Sequence, residues 1–350
     1  MDQWPRWLGR RGQLGEWRRR RLGQPPVLRR RRVMGQPLVS HSSSRDSVSP
    51  GNDQPILFVP SDLVMEQGGR PFVVIVKTRK ELSQWLSHPP AGLQWLQVHD
   101  LLGDPDAWVP ASKSASNVPL DVFVATPGSQ FSDLYRMVDV CAVRDVRVSM
   151  PTSPGFLRAL KLAVALRLPV RLLPAQPAPE MCAELTEAVT FYLHDPMVET
   201  PVEFFHSVLA FMCGADTGSL WTILEEDPAI FLQQDPDGHS KLPRVSGSAS
   251  LEISLPTFVA TRFKRLVEQN TECTTCPWQR ICQGYFKWPD PAYDCQGVKQ
   301  LFSIIKAAAD EMTQELACRD QAEQEEQLGE FGSKASSYKI RATPHERTSL

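Results

Sequence analysis

The chain has 350 residues, of which 42% are hydrophobic, as expected for about two domains with a sizeable core. Its first 50 residues hold twelve Arg, no Lys and three acidic residues, so the other 300 carry a formal charge near −11, against −2 overall. A body this acidic argues against nucleic-acid binding. There is no apolar run of 18 residues and no signal-peptide core, so we expect a cytoplasmic protein without a membrane span, with its eight cysteines reduced.

Residues 1–54 predict a disordered, Arg-rich extension. They combine Arg blocks with Gln-Pro-Pro at 24–26 and a Ser-rich stretch over 40–50. Such a composition cannot bury enough apolar surface to offset the conformational entropy lost on folding. We therefore expect folded structure to begin at Pro55.

From Pro55 onward, short apolar runs alternate with helical patterns. The runs are continuous and rich in β-branched residues, which is typical of strands buried on both faces of a parallel sheet. They are Ile56–Val59, Phe72–Val76, Leu93–Val98, Val122–Ala125, Val146–Met150 and Val170–Leu173. Two segments between them, Arg79–Ser87 and Phe156–Leu168, have one apolar helical face. This alternation predicts an α/β fold with a parallel sheet, open or partly closed into a barrel.

The second half of the chain predicts helices, one hairpin and a cysteine-rich module. Two helices over 179–215 should break at Asp195-Pro196, and a last helix should span about 298–318. The hairpin would pair Leu220–Leu224 with Ala229–Gln234, close to the turn residues 235–238. We therefore expect four parts: the extension 1–54, a (β/α) region 55–218, a cluster-binding domain 219–318 and a disordered tail 319–350.

Four cysteines of the second domain have the spacing of metal ligands. They are Cys273, Cys276, Cys282 and Cys295. A Cys-x2-Cys pair lets two thiolates reach one metal from a single turn, and four thiolates complete either a zinc site or a 4Fe–4S cluster. Zinc sites usually bring ligands as two short pairs, whereas here the third and fourth cysteines follow after five and twelve residues. The spacing favours one 4Fe–4S cluster and leaves zinc as the alternative.

Other residues near the four cysteines, and the remaining cysteines, suit supporting roles. We expect an aromatic shell that limits water near the metal, made of Trp278, Tyr285, Phe286 and Trp288. Gly284 should let the chain pass closely. Cysteines outside the module are predicted to be small buried hydrophobes, namely Cys141, Cys182, Cys213 and Cys318. His99-Asp100 at a strand end could be catalytic, but we interpret the pair as an ordinary cap.

The pattern Cys273-x2-Cys276-x5-Cys282-x-Gly284, with a later Asp-Cys295, resembles the SPASM domain that follows radical S-adenosylmethionine (SAM) barrels in peptide- and protein-modifying enzymes. The resemblance covers about 225–305 and implies that the four cysteines bind the outer auxiliary 4Fe–4S cluster. The family's inner cluster needs further cysteines. This chain has Phe286 at one such position and Leu242, Pro243 and Arg244 near the other, so only one cluster is expected.

Residues 55–195 resemble a shortened radical SAM barrel in pattern, notably Val146–Met150 followed by a helix and Val170–Leu173. The Cys-x3-Cys-x2-Cys loop that defines that family is missing, since no cysteine lies between Phe72–Val76 and Cys141. The chain therefore resembles a degenerate partial barrel that cannot start radical chemistry by itself.

The resemblance implies a cluster-binding, electron-transfer or peptide-binding component of a peptide or protein maturation system. Its partners would be a substrate peptide or a radical SAM enzyme. Two alternatives stay open. One is an enzyme that uses the strand ends and has a purely structural cluster, and the other is a zinc-stabilised binding protein.

Overall fold

A computed structural model describes residues 54–66, 70–242, 244 and 255–337 of the chain. Within these residues nine strands form one sheet with helices packed on it, which confirms the α/β class and the mostly parallel sheet. The predicted Arg-rich extension lies, except for Gln54, outside the described residues. In the described part, no helix combines the length and the apolarity needed to cross a membrane.

The strand order of the sheet is β7-β6-β5-β4-β3-β2-β1-β8-β9, and every pair is parallel except β8 with β9. The strands are β1 Ile56–Pro60, β2 Phe72–Val76, β3 Leu93–Val98, β4 Leu120–Phe123, β5 Val146–Pro151, β6 Val170–Leu173, β7 Val202–Glu203, β8 Phe231–Gln234 and β9 Ser240–Lys241. The six predicted runs thus become neighbouring strands in their chain order. β4 starts two residues earlier than predicted. Asp121 interrupts the apolar run in the sequence, but it can lie within a buried strand because Arg147 and Arg171 neutralise its charge.

The α-helices that pack around the sheet are α1 Arg79–Ser87, α2 Trp108–Lys113, α3 Pro127–Gln130, α4 Met137–Cys141, α5 Phe156–Ala165, α6 Pro179–His194, α7 Phe205–Met212, α8 Leu220–Ile223, α9 Phe258–Glu268, α10 Gln279–Cys282 and α11 Gln296–Ser337. α1 has the predicted bounds, and a capping box explains its start. Thr78 Oγ1 accepts a hydrogen bond from Glu81 N, while the Glu81 carboxylate accepts from Thr78 N. Its predicted apolar residues, Leu82, Trp85 and Leu86, are buried.

The predicted hairpin is wrong in its first strand. Leu220–Leu224 contains the short helix α8 instead, because a five-residue apolar run does not distinguish a strand from a buried helix. The hairpin forms between β8 and β9. At its turn the Asp235 Oδ1 atom accepts hydrogen bonds from the backbone N–H groups of Asp237 and His239. β8 also pairs with β1, so a strand placed in the second predicted domain extends the sheet of the first.

The predicted disordered tail over 319–350 is corrected in its first part. The backbone of α11 stays helical to Ser337, well past the predicted end near residue 318. The first part of the added segment, 319–330, is rich in Gln and Glu, which have high intrinsic helix propensity. Residues 338–350 lie outside the described residues.

The two faces of the sheet differ in chemistry, as alternation along each strand requires. One face joins the helices in the main core, through residues such as Leu57, Val74, Val98, Val122, Val148 and Leu172. The other face begins apolar at Phe58, Val73 and Trp95, which form a small separate cluster. It becomes charged from β4 to β7.

The cysteine-rich module shares the main core with the sheet region. The Phe204 ring, just before α7, lies 6.4 Å from the ring centroids of both Phe286 and Phe302. Phe286 belongs to the module and Phe302 to α11, and their own centroids are 6.1 Å apart. Contact between these rings stabilises the packing of the module beside α7, because aromatic pairs at such distances contribute free energy beyond that of the buried area alone.

Candidate metal centre

The four predicted ligands reach one cavity from four short segments. Cys273 lies in a 3-10 helix over Glu272–Thr275, and Cys276 follows its last residue. Cys282 ends α10, and Cys295 immediately precedes α11. The structure therefore brings together all four cysteines, although 22 positions separate the first from the last in the sequence.

Local turns give the module its shape. Thr271 Oγ1 accepts a hydrogen bond from Cys273 N at 3.4 Å and donates one to Leu266 O at 2.9 Å, tying the first ligand segment to α9. Gly284 has a φ of 72°, and a Cβ built there would lie 2.6 Å from Leu266 Cδ1. The positive φ favours glycine here, and the close approach to Leu266 agrees with the predicted close passage of the chain.

The cavity is partly open to solvent, and the space of about 330 Å³ that it spans includes part of that solvent. Its wall consists of Glu272, Cys273, Cys276, Trp278, Cys282, Phe286, Lys287, Cys295, Val298, Lys299 and Phe302. The predicted aromatic shell is thus correct for Trp278 and Phe286 only. Tyr285 and Trp288 pack instead on Trp221 and Phe258, while Phe302 of α11 takes a place that the sequence did not indicate.

Cys273 and Cys295 are shielded from water, being only 8% and 9% exposed, whereas Cys276 and Cys282 are half-buried. Burial raises the pKa of the Cys282 thiol to about 11 and also raises the pKa of Cys273 and Cys295. These three thiols are therefore protonated near neutral pH in the metal-free chain. A metal that binds here must displace their protons, as thiolate sites require.

The sulfur atoms are spread around the cavity. Of these four described cysteines, no three have Sγ atoms that all lie within 4.8 Å of one another. A tetrahedral zinc site with Zn–S bonds of about 2.3 Å would hold all of its sulfurs about 3.8 Å apart. A cubane cluster separates its thiolates more widely, because each sulfur binds a different iron. The sulfurs of the metal-free chain are therefore not already arranged as a tetrahedral zinc site.

Three charged side chains complete the cavity wall. The Glu272 carboxylate pairs with Lys287 Nζ at 2.6 Å and also with Lys299 Nζ. The Lys287 side chain is only 7% exposed, and its ammonium also donates a hydrogen bond to Tyr293 O. The lining residues thus present two ammonium groups and one carboxylate to the cavity.

The cysteines outside the module do not line this cavity. Cys182 comes nearest in contacts, since its sulfur lies 3.9 Å from the hydroxyl oxygen of Tyr293, two residues from Cys295. Cys141 and Cys213 are half-buried, whereas Cys318 is exposed, so the predicted burial is wrong for Cys318. Its position on the outer side of α11 explains the difference, because periodicity alone did not fix which side of that helix packs.

The sequence did not predict the buried ion-pair network that lies on the second face of the sheet. Arg147 Nη2 and Arg171 Nη2 lie 2.7 and 2.8 Å from Asp121 Oδ2, and both guanidiniums also pair with Glu225. Ser149 Oγ donates to Asp121 Oδ1. Burial by itself raises the pKa of Asp121, but the two arginines outweigh it and hold that pKa at about 2. The sequence signal that could have indicated this network was a single charged residue in each of several otherwise apolar strands.

Glu203 lies beside this network, and its carboxyl group is buried. It is 5% exposed, its Oε2 accepts a hydrogen bond from Ser207 Oγ at 2.6 Å, and its Oε1 is a buried atom with no hydrogen-bond partner. Burial raises the pKa of Glu203 to about 7, from an ordinary value of 4.5. Between these two values the folded protein keeps a proton that the unfolded chain has lost.

The free energy of unfolding should therefore fall by roughly 3 kcal/mol as the pH rises from about 4.5 to 7. Glu203→Gln keeps the side chain neutral at every pH and should flatten this part of the profile. Urea unfolding at pH 5 and pH 7.5 measures the difference. Glu187→Gln, at an exposed position, should keep the wild-type slope. An equally steep decline in Glu203→Gln would assign the pH dependence to another group.

His99 also lies on the second face, at the carboxyl end of β3. Its ring stacks on Phe123 with centroids 4.8 Å apart, and its Nε2 is a buried atom with no hydrogen-bond partner. Burial lowers the pKa of His99. The predicted cap role is not seen, since this buried Nε2 atom has no hydrogen-bond partner among the described residues.

One further group of potential ligands occurs at the β8–β9 turn, where Asp235, Asp237 and His239 lie close together. Asp235 already accepts the turn hydrogen bonds, and the other two side chains are exposed. This arrangement is an ordinary polar turn.

Comparison of the chain with models of protein families, with curated proteins and with solved structures finds no match in any of the three.

Proposed function

We propose that the chain is a 4Fe–4S protein whose single cluster is held by Cys273, Cys276, Cys282 and Cys295. In this proposal it acts without generating a radical, as an electron-transfer or peptide-binding component of a peptide or protein maturation system. The observation that carries the proposal is the convergence of all four cysteines on one cavity that is partly open to solvent. Four isolated core cysteines would have no reason to share a cavity that side chains leave unfilled.

The shape of the site supports a cluster over a zinc ion. No three of the four sulfurs lie within 4.8 Å of one another, and Cys282 and Cys295 follow singly after five and twelve intervening residues, whereas zinc sites usually bring their ligands as two short pairs. When bound, the cluster would supply one-electron transfer. The chain contributes the thiolates, the apolar cover of Trp278, Phe286 and Phe302, and the two lysines.

The proposed lack of radical chemistry rests on the sequence and is supported by the second face of the sheet. Three closely spaced cysteines are needed to leave one iron free for adenosylmethionine, and the segment after β2 has none. Asp121 and Glu225 instead pair with Arg147 and Arg171 on this face. Asp121 and the two arginines are the second residues of β4, β5 and β6. A network that satisfies its own charges supports a structural use of this face.

Purification of the full chain without oxygen, followed by iron, sulfide and zinc analysis, tests the proposal. We expect about four irons and four sulfides per chain, together with the broad visible absorption of a thiolate-bound cluster. One zinc and no iron would overturn the cluster and favour the zinc-stabilised binding protein. Incubation of the chain with adenosylmethionine and a reductant should leave the adenosylmethionine uncleaved. Clear cleavage would overturn the proposal that the chain does not generate a radical.

The maturation role needs a separate test. We expect the purified cluster-loaded chain to bind either a radical SAM enzyme or a precursor peptide encoded by a neighbouring gene, with affinity measured by calorimetry. Absence of both kinds of gene from its neighbourhood would count against this role while leaving the cluster assignment in place.

A further inference from the structure

The cavity wall carries more positive than negative charge. Its ionisable residues other than cysteine are Glu272, Lys287 and Lys299, and the single carboxylate is shared by both ammonium groups. Lys287 is deeply buried, so its charge is poorly screened by water. Burying an excess charge costs free energy unless an opposite charge lies close by. Because Lys287 and Glu272 offset each other, the excess positive charge resides on the partly exposed Lys299, and an anion in the cavity would attract both ammonium groups.

A cluster bound by four thiolates is such an anion. The negative charge of the four thiolates exceeds the positive charge of the oxidised iron–sulfur core, and an added electron makes the whole centre more negative still. Nearby positive charge stabilises the reduced form more than the oxidised form, since the attraction grows with the charge of the centre. Net charge and hydrogen bonds to the sulfurs are main determinants of the reduction potential of iron–sulfur centres.

We propose that Lys287 and Lys299 raise the reduction potential of the metal centre, and that Glu272 positions both ammonium groups and moderates their effect. The inference rests on the proposed 4Fe–4S function. The redox step is the uptake of one electron from a low-potential donor, with no proton transferred and no bond broken.

Lys299 is the better residue to test, because it is one-third exposed and its removal should not disturb folding. Lys299→Gln should shift the reduction potential to more negative values by up to about 59 mV. For a one-electron couple, this shift corresponds to a tenfold smaller equilibrium constant for reduction. Lys299→Arg keeps the charge and should restore most of the wild-type value. Glu272→Gln should shift the potential in the opposite direction.

Lys306→Gln is the matched control. It removes the same charge from the same helix, but Lys306 pairs with Asp310 on the surface and does not line the cavity. Its potential should stay at the wild-type value, because exposed charges are screened by salt. Lys287→Gln should give a larger shift than Lys299→Gln, provided that circular dichroism shows it folded.

The measurement is a potentiometric titration of the full chain with dithionite and redox mediators, followed by electron paramagnetic resonance of the reduced cluster. Iron and sulfide content of each variant is determined first. If all variants hold an intact cluster and Lys299→Gln and Lys306→Gln have the same potential, the inference is overturned and the proposed function stands. If the wild-type chain holds no cluster, both fail.

Discussion

Replacement of Cys276 by serine is expected to remove most of the iron from the chain and to lower its stability. Cys276 lines the cavity beside the other three ligands, and a serine hydroxyl is a much poorer iron ligand than a thiolate. A bound structural metal also contributes folding free energy, so the melting temperature should fall together with the iron content. Iron analysis and thermal unfolding of the two proteins, both prepared without oxygen, measure the effect.

The control for this prediction is Cys182→Ser. Cys182 contacts Tyr293 next to the module, but it does not line the cavity, so this variant should keep the wild-type iron content. Cys141→Ser, farther along the chain from the module, should also keep it. Full iron content in Cys276→Ser would remove this cysteine from the ligand set. Loss of iron in Cys182→Ser would add a ligand that the proposed site lacks.

Asp121→Ala is expected to destabilise the folded chain by about 3–5 kcal/mol, the usual result when one partner of a buried ion pair is removed. The Asp121 side chain is 2% exposed and pairs with both Arg147 and Arg171. Without it, Glu225 would be the one acidic partner left to two buried guanidiniums within the described network. Urea unfolding followed by circular dichroism, at matched metal content, measures the loss.

Asp133→Ala provides the comparison. Asp133 pairs with Arg136 at 3.3 Å, but both side chains are partly exposed, so its loss should cost less than about 1 kcal/mol. A large difference between the two variants would establish that the network on the second face supports the fold. Similar losses would mean that Asp121 contributes no more than a surface pair.

The strands and the ligand set illustrate how far the sequence could be interpreted. Continuous apolar runs such as Phe72–Val76 and Val170–Leu173 became strands with the predicted bounds, because a strand buried on both faces needs apolar residues throughout. The four cysteines could be selected from eight by spacing alone, since chelation requires ligands at short, defined separations. The resemblance to SPASM domains stays a prediction.

What the sequence by itself determined was therefore local: which segments bury apolar surface, which of them have one apolar helical face, and which cysteines have the spacing of metal ligands. The tertiary structure decided what depends on contacts between distant residues. It made a helix of Leu220–Leu224, paired β8 with β1 and placed Phe302 in the cavity wall. It also joined Asp121 to Glu225, and Glu272 to Lys287 and Lys299. Such contacts leave no periodic signal, because their partners are brought together only when the whole core packs.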